Sequence, residues 1–247
     1  MQRNPQHLID EQTSGQPSSS RRRFMFKSAA LLPAAVTLTA CDSGQSSPTG
    51  TPDSASRHYS PRYFSAAEFS FIHAAVARLI PSDDTGPGAL ELDVPVFIDR
   101  QMESEFGHAA RWYMQGPFTQ AAPQFGYQSR LTPREVYRLG IAETDTLCAA
   151  RYGNNFAKLS NLDQDVVLHQ LDRGELEFIG VDAKTFFEFL RTNTIEGYLA
   201  DPVHGGNKHA GSWKMIGFPG ARADYLDFVG QNRPYPYEPI GVMGKEN

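Results

Sequence analysis

Hydrophobic positions in this chain recur at helical spacing and almost never alternate. Ser65, Ala66, Ala67 and Glu68 form a capping box, in which the serine hydroxyl can accept from an orphan amide and the glutamate can reach back. Phe69, Ile72, Val76, Leu79 and Ile80 then share a helix face until Pro81. A second helix starts at Asp93, with Pro95 in its first turn and Val96, Phe97, Ile98 and Met102 as apolar contacts. Trp112 and Tyr113 lie in a third, shorter segment ended by Gly116 and Pro117. Thr132, Pro133, Arg134 and Glu135 combine a cap, a first-turn proline and a box-closing glutamate, which opens a long helix. Its inward positions are Val136, Leu139, Leu147 and Ala150, and Gly153 suits a left-handed end. Two more helices are predicted, over about 160–171 and about 182–199. With no sustained period-two pattern and no Asn-Gly or Asp-Gly hairpin signal, the expected fold is mainly α, a single helical domain over residues 61–247.

The C-terminal third breaks this pattern. Gly205, Gly206, Gly211, Gly217 and Gly220 fall close together with Pro202 and Pro219, and Pro234-Tyr235-Pro236-Tyr237-Glu238-Pro239 follows. Such a stretch is expected to be a long Gly/Pro-rich loop region rather than helix. Long loops in compact domains carry binding tasks or are disordered. Trp213, Met215, Ile216, Phe218 and Tyr225, embedded in this one, argue for packing against something.

Residues 1–40 read as an export signal of the twin-arginine type. A polar start leads to Arg21, Arg22, Arg23, Phe24, Met25, Phe26 and Lys27, and either adjacent arginine pair can serve as the twin. The apolar run 28–40 is shorter than the roughly 20 residues a bilayer-crossing helix needs. Leu38-Thr39-Ala40-Cys41 resembles a lipobox, in which Cys41 becomes a lipidated first residue; cleavage nearby by ordinary signal peptidase is the alternative. Residues 41–60, rich in Ser, Pro, Thr and Gly, form a flexible tether. The expected location is the periplasmic side of the inner membrane.

Composition narrows the chemistry. The 247 residues carry 23 Lys and Arg against 28 Asp and Glu, and beyond residue 40 the balance is 18 against 26. That acid excess, with no basic run after Lys27, argues against nucleic acid as a partner. Two cysteines, Cys41 and Cys148, are too few for a disulfide scaffold, a zinc centre or an iron–sulfur cluster. If Cys41 is lipidated, Cys148 is left either to bridge to another chain or to fill a helix face as a small apolar residue. His204 and His209 near Asp201 match no ligand template, and His73 reads as a partly buried structural histidine. Asp83-Asp84-Thr85-Gly86 reads as a solvated turn, and Glu175 and Glu177 are a poor acid/base pair. No dinucleotide fingerprint, phosphate loop or nucleophile elbow occurs. No catalytic, cofactor or metal residue is expected in this chain.

Two stretches together resemble the gluconate 2-dehydrogenase subunit 3 family. One is Leu79-Ile80-Pro81-Ser82-Asp83-Asp84-Thr85-Gly86-Pro87-Gly88-Ala89, continuing to Val94 and the Phe97-Ile98-Asp99 segment. The other is Thr194-Ile195-Glu196-Gly197-Tyr198-Leu199-Ala200-Asp201-Pro202-Val203-His204-Gly205-Gly206-Asn207 with Trp213-Lys214-Met215-Ile216-Gly217-Phe218-Pro219-Gly220. The resemblance implies the small subunit of a membrane-bound sugar or polyol dehydrogenase. A large partner subunit would hold FAD and a multihaem partner would hold haem c. The small subunit would escort its signal-less catalytic partner during export. Tyr198, His204, Asn207, Trp213 and Phe218 are the expected interface or loop-shaping residues. The rivals are a periplasmic enzyme using His204 and Asp201, and a lipid-anchored binding or scaffold protein unrelated to redox chemistry.

Overall fold

A computed structural model describes residues 59–119 and 122–244. The expected signal (Arg21, Arg22, Arg23 and Phe24), Cys41 and nearly all of the tether lie outside them. Six α-helices are present among the described residues: α1 (Ala66–Leu79), α2 (Val94–Glu103), α3 (Pro133–Tyr152), α4 (Asn161–Asp172), α5 (Ala183–Leu199) and α6 (Gly211–Ile216). Pairing between extended segments is limited there to isolated bridges, so the mainly α expectation holds. None of these helices is long and apolar enough to cross a membrane.

Local chemistry sets most of the boundaries. Before α1, the Ser65 N–H donates to Glu68 (2.8 Å) while the Ser65 hydroxyl accepts the Glu68 N–H (3.3 Å), both halves of a capping box. At α3 the Glu135 carboxylate accepts from the Thr132 N–H (2.7 Å) and hydroxyl (2.8 Å), and Gly153 ends the helix at φ 73°. Ser160 and Asp182 cap α4 and α5 by accepting from Asp163 and Thr185 amides.

Helix α5 packs against α1, α2, α3, α4 and α6. Glycines let it do so closely. A Cβ on Gly140 of α3 would lie 2.2 Å from the Phe186 ring of α5, and one on Gly197 of α5 would lie 2.6 Å from the Phe97 ring of α2. Phe71, Phe156, Phe186 and Tyr137 stack through the centre, with Phe71 and Phe156 at 4.6 Å. The Tyr137 hydroxyl is satisfied by the Phe189 carbonyl and the Asn193 side chain, which spares the core an orphan donor.

Three expectations need correction. The inward stripe of α3 is Val136, Tyr137, Gly140, Ile141, Thr144 and Cys148, with Leu139 and Leu147 partly buried beside it; Ala150 is exposed, because it lies two residues past Cys148 and so off the three- and four-residue spacing of that face. Residues 107–112 are turns, not a helix: Ala109 sits at φ 52°, and Trp112 is held by ring contacts with Phe106, Tyr127 and Phe189. The Gly-rich stretch after Tyr198 is not wholly loop. It contains α6 and short 3₁₀ turns at Pro202–His204 and Lys208–Ala210.

Candidate functional site

The chain leaves α5 at Leu199 and folds back onto α5 itself. Asp201 caps the first 3₁₀ turn by accepting the Val203 N–H (3.1 Å), and Gly205 at φ 97° reverses the chain. Gly206 then lies flat on α5, where a Cβ would be 2.2 Å from the Gly197 carbonyl oxygen. Gly205 therefore meets a left-handed turn requirement and Gly206 a backbone-contact requirement.

Asn207 is the centre of this loop. It is fully buried in the left-handed region (φ 46°). Its side-chain amide donates to the Ala200 carbonyl (2.8 Å), and its oxygen accepts from the Ser212 N–H (2.9 Å) and hydroxyl (2.7 Å). Trp213 is also buried; its indole N–H donates to the Leu199 carbonyl (2.8 Å) and its ring meets Phe218 edge-on at 5.0 Å. The Tyr198 hydroxyl donates to the Pro87 carbonyl (2.8 Å), and Lys208 pairs with Asp93 (3.2 Å). The two stretches singled out in the sequence, around 79–99 and 194–220, are thus neighbours in space.

Of the five residues named from the sequence, Tyr198, Asn207 and Trp213 shape the loop from inside, while His204 and Phe218 lie on its surface. Phe218 is 47% exposed, and Val203, Met215 and Ile216 of the same stretch are also exposed. Most of the exposed large apolar side chains among the described residues fall between Ile195 and Met243. The arrangement suits partner docking better than chemistry. Asp201 spends one carboxylate oxygen on the Val203 N–H and the other on the Val242 N–H (2.8 Å), so it is poorly available as a base for His204.

The other sequence candidates take structural places. The Asp83–Gly86 turn is closed by backbone bonds in both directions and by Thr85 N–H to Asp83. Burial pushes the His73 imidazole below its ordinary value. Glu175 pairs with Arg173 in a surface bridge. Cys148 is a free, fully buried thiol on α3, pushed up to about 12 by burial and by nearby Asp145. A bridge from it to another chain would require the core to open. Sequence reasoning missed the role of Asp99, a fully buried carboxylate that accepts from the Tyr59 hydroxyl and the Arg62, Tyr63 and Phe64 amides. It fixes residues 59–64 ahead of α1. The available signal was an acid directly after the apolar run from Val94 to Ile98.

A family model described as gluconate 2-dehydrogenase subunit 3 matches residues 66–220, more than half of the chain. That span opens at α1 and closes just after the Trp213–Phe218 contact. No curated protein and no solved structure matches the chain.

Proposed function

This chain belongs to the gluconate 2-dehydrogenase subunit 3 family, and from that premise we propose that it is an exported, non-catalytic accessory subunit of a FAD-dependent sugar or polyol dehydrogenase. Family membership itself implies a place in a multi-subunit dehydrogenase complex. In this reading the chain carries the twin-arginine signal, escorts a large flavoprotein through export, and stays with it at the inner membrane, anchored through Cys41. Haem c belongs to a further cytochrome subunit.

The observation that carries the docking half of this reading is the loop after α5. It is a built surface: hydrogen bonds from Asn207, Trp213 and Tyr198 hold it while Val203, Ile216 and Phe218 are left in solvent. Rigidly presented apolar and aromatic side chains are what interfaces use as anchors.

The test is affinity purification of the tagged full chain from mild-detergent extracts of native membranes, with an absorbance spectrum and identification of the co-purified chains. A large flavoprotein, with flavin absorption in proportion to the tagged chain, is expected. Phe218→Asp is expected to lower that recovery at least about tenfold while the chain stays folded with a slightly lowered melting temperature, because the ring is half exposed and its other half meets Trp213. Trp213 is the wrong probe, since its removal would unmake the loop. A colourless chain recovered alone would overturn the reading.

A further inference from the structure

Side chains from three segments enclose a cavity of about 580 Å³: Tyr63 ahead of α1, His108 in the turn after α2, and residues between Leu131 and Leu139 at the start of α3. Its walls hold two guanidinium groups. Arg134 and Arg138 stand one helical turn apart, a spacing at which like charges repel. One aromatic ring collects both, since their guanidinium carbons lie 4.5 and 4.6 Å from the centre of the Tyr63 ring. Tyr63 is itself fixed: its hydroxyl donates to the Arg134 carbonyl (2.6 Å) and its N–H to the buried Asp99 carboxylate (3.1 Å).

The pair is only partly neutralised. Arg138 donates from Nε to the Tyr63 hydroxyl and from Nη2 to the Tyr63 carbonyl (3.2 Å each), and it meets Glu68 at 3.4 Å. Arg134 forms no ion pair among the described residues; its Nη1 lies against His108 Nε2 instead. The His108 Nδ1 faces the Ser104 carbonyl (2.9 Å), which can only accept, so Nδ1 carries the proton and Nε2 takes an Arg134 N–H. Glu135 is the one acid on the walls, and one of its oxygens already takes the N–H and the hydroxyl of Thr132. The Nε and Nη2 groups of Arg134 and the Nη1 group of Arg138 meet no acceptor among the described residues. In a chain with 26 acids against 18 Lys and Arg beyond residue 40, the two guanidiniums are a local reversal of sign.

We propose that this cavity binds a phosphate group, carried on a lipid headgroup or on a small soluble molecule. A carboxylate has two oxygens, which one guanidinium fork can answer, whereas a phosphate offers oxygens to two guanidiniums at once. Because Tyr63 and His108 already hold the forks, little side-chain freedom is lost when the anion enters. Glu135 opposes the anion from the same walls, which gives the site a sign that substitution can read. The site uses no residue of the loop after α5, so it stands or falls apart from the accessory-subunit reading.

The test uses the full chain in two arms. Titration calorimetry with glycerol phosphate reads the soluble source, and flotation with vesicles of phosphatidylglycerol in phosphatidylcholine, against phosphatidylcholine alone, reads the headgroup. Saturable binding is expected in at least one arm, weakened about tenfold or more by Arg134→Gln and by Arg138→Gln in chains that still melt cooperatively. Arg191→Gln, which removes the same charge from α5, is expected to bind as the unaltered chain does, and Glu135→Gln to bind more tightly. Should Arg138→Gln fail to fold, Arg134→Gln decides, since that guanidinium makes no ion pair among the described residues. Absence of binding in both arms would overturn the proposal. So would binding that Arg134→Gln leaves unchanged, that Arg191→Gln weakens equally, or that Glu135→Gln weakens. Acetate competing as well as glycerol phosphate would make the site one for carboxylates and overturn its assignment to phosphate.

Discussion

A single side chain, Asn207, decides whether the motif after α5 has a shape. Its left-handed backbone is tolerated by asparagine better than by other residues with a Cβ, and its amide bridges Ala200 to Ser212 across the reversal. Two substitutions separate these contributions. Asn207→Gly keeps the backbone and strands the buried Ser212 N–H and Ala200 carbonyl, which costs about 2 kcal/mol. Asn207→Ala adds the left-handed penalty, about 1 kcal/mol more. Urea unfolding followed by Trp213 fluorescence in a Trp112→Phe background would measure both, and a glycine variant as stable as the unaltered chain would sink the bridging role. The sequence shows an asparagine beside two glycines, which marks a turn. It does not show that the asparagine is buried, because burial is decided by Gly206 meeting Gly197 and not by any neighbour in sequence. Asp99 was opaque for the same reason: its four donors come from residues 35 to 40 positions away.

At the scale of elements, capping chemistry was legible because its partners are three residues apart. Ser65, Thr132, Ser160 and Asp182 all precede their helices as their side chains require. The turn at 107–112 was not, since a cluster of Trp112, Tyr127 and Phe189 holds it through tertiary contacts. The α3 cap also carries a pH dependence. The Thr132 N–H, then its hydroxyl, hold the Glu135 carboxyl below the ordinary 4.5. A carboxyl lowered on folding stabilises the fold above its unfolded value, and that contribution is lost as pH falls through the folded one. Glu135→Gln keeps an acceptor but cannot titrate. The unaltered chain should therefore be more stable than Glu135→Gln at pH 7, by a small margin because the group is solvent-screened, with the gap closing as pH falls from 7 into acid through the folded value. Thermal melts of both chains across that range would measure it. A gap that persists in acid would assign the cap's strength to shape rather than charge.

For the whole molecule, the division that matters lies at Ala200. The contiguous hydrophobic core is drawn from residues up to that point, and nothing from 201–244 joins it. The later segment is held instead by a smaller set, Trp213 on Leu199, Asn207 on Ala200, Lys208 on Asp93 and the Leu92 carbonyl, and Gly206 against Gly197, and within itself by Val242 on Asp201 and its aromatic knot of Phe228 and Tyr235. Segments tied by few buried apolar contacts open at lower free energy than the core they rest on. Composition already marked this part of the chain as different, but glycine and proline content alone could not tell a flexible loop from a built surface. Only the buried partners of Asn207 and Trp213 do that. Amide hydrogen exchange of the full-length chain separates the two states of this segment. Amides of 201–244 should exchange through local opening, faster than those of α1, α3 and α5. In the purified complex those of 203–218 should slow by about tenfold or more, equivalent to about 1.4 kcal/mol. Unchanged exchange of 203–218 in the complex would remove the family loop as the docking element. Uniform protection of 201–244 and the helices before any partner binds would mean that the two parts unfold as one, and that the boundary at Ala200 has no energetic meaning.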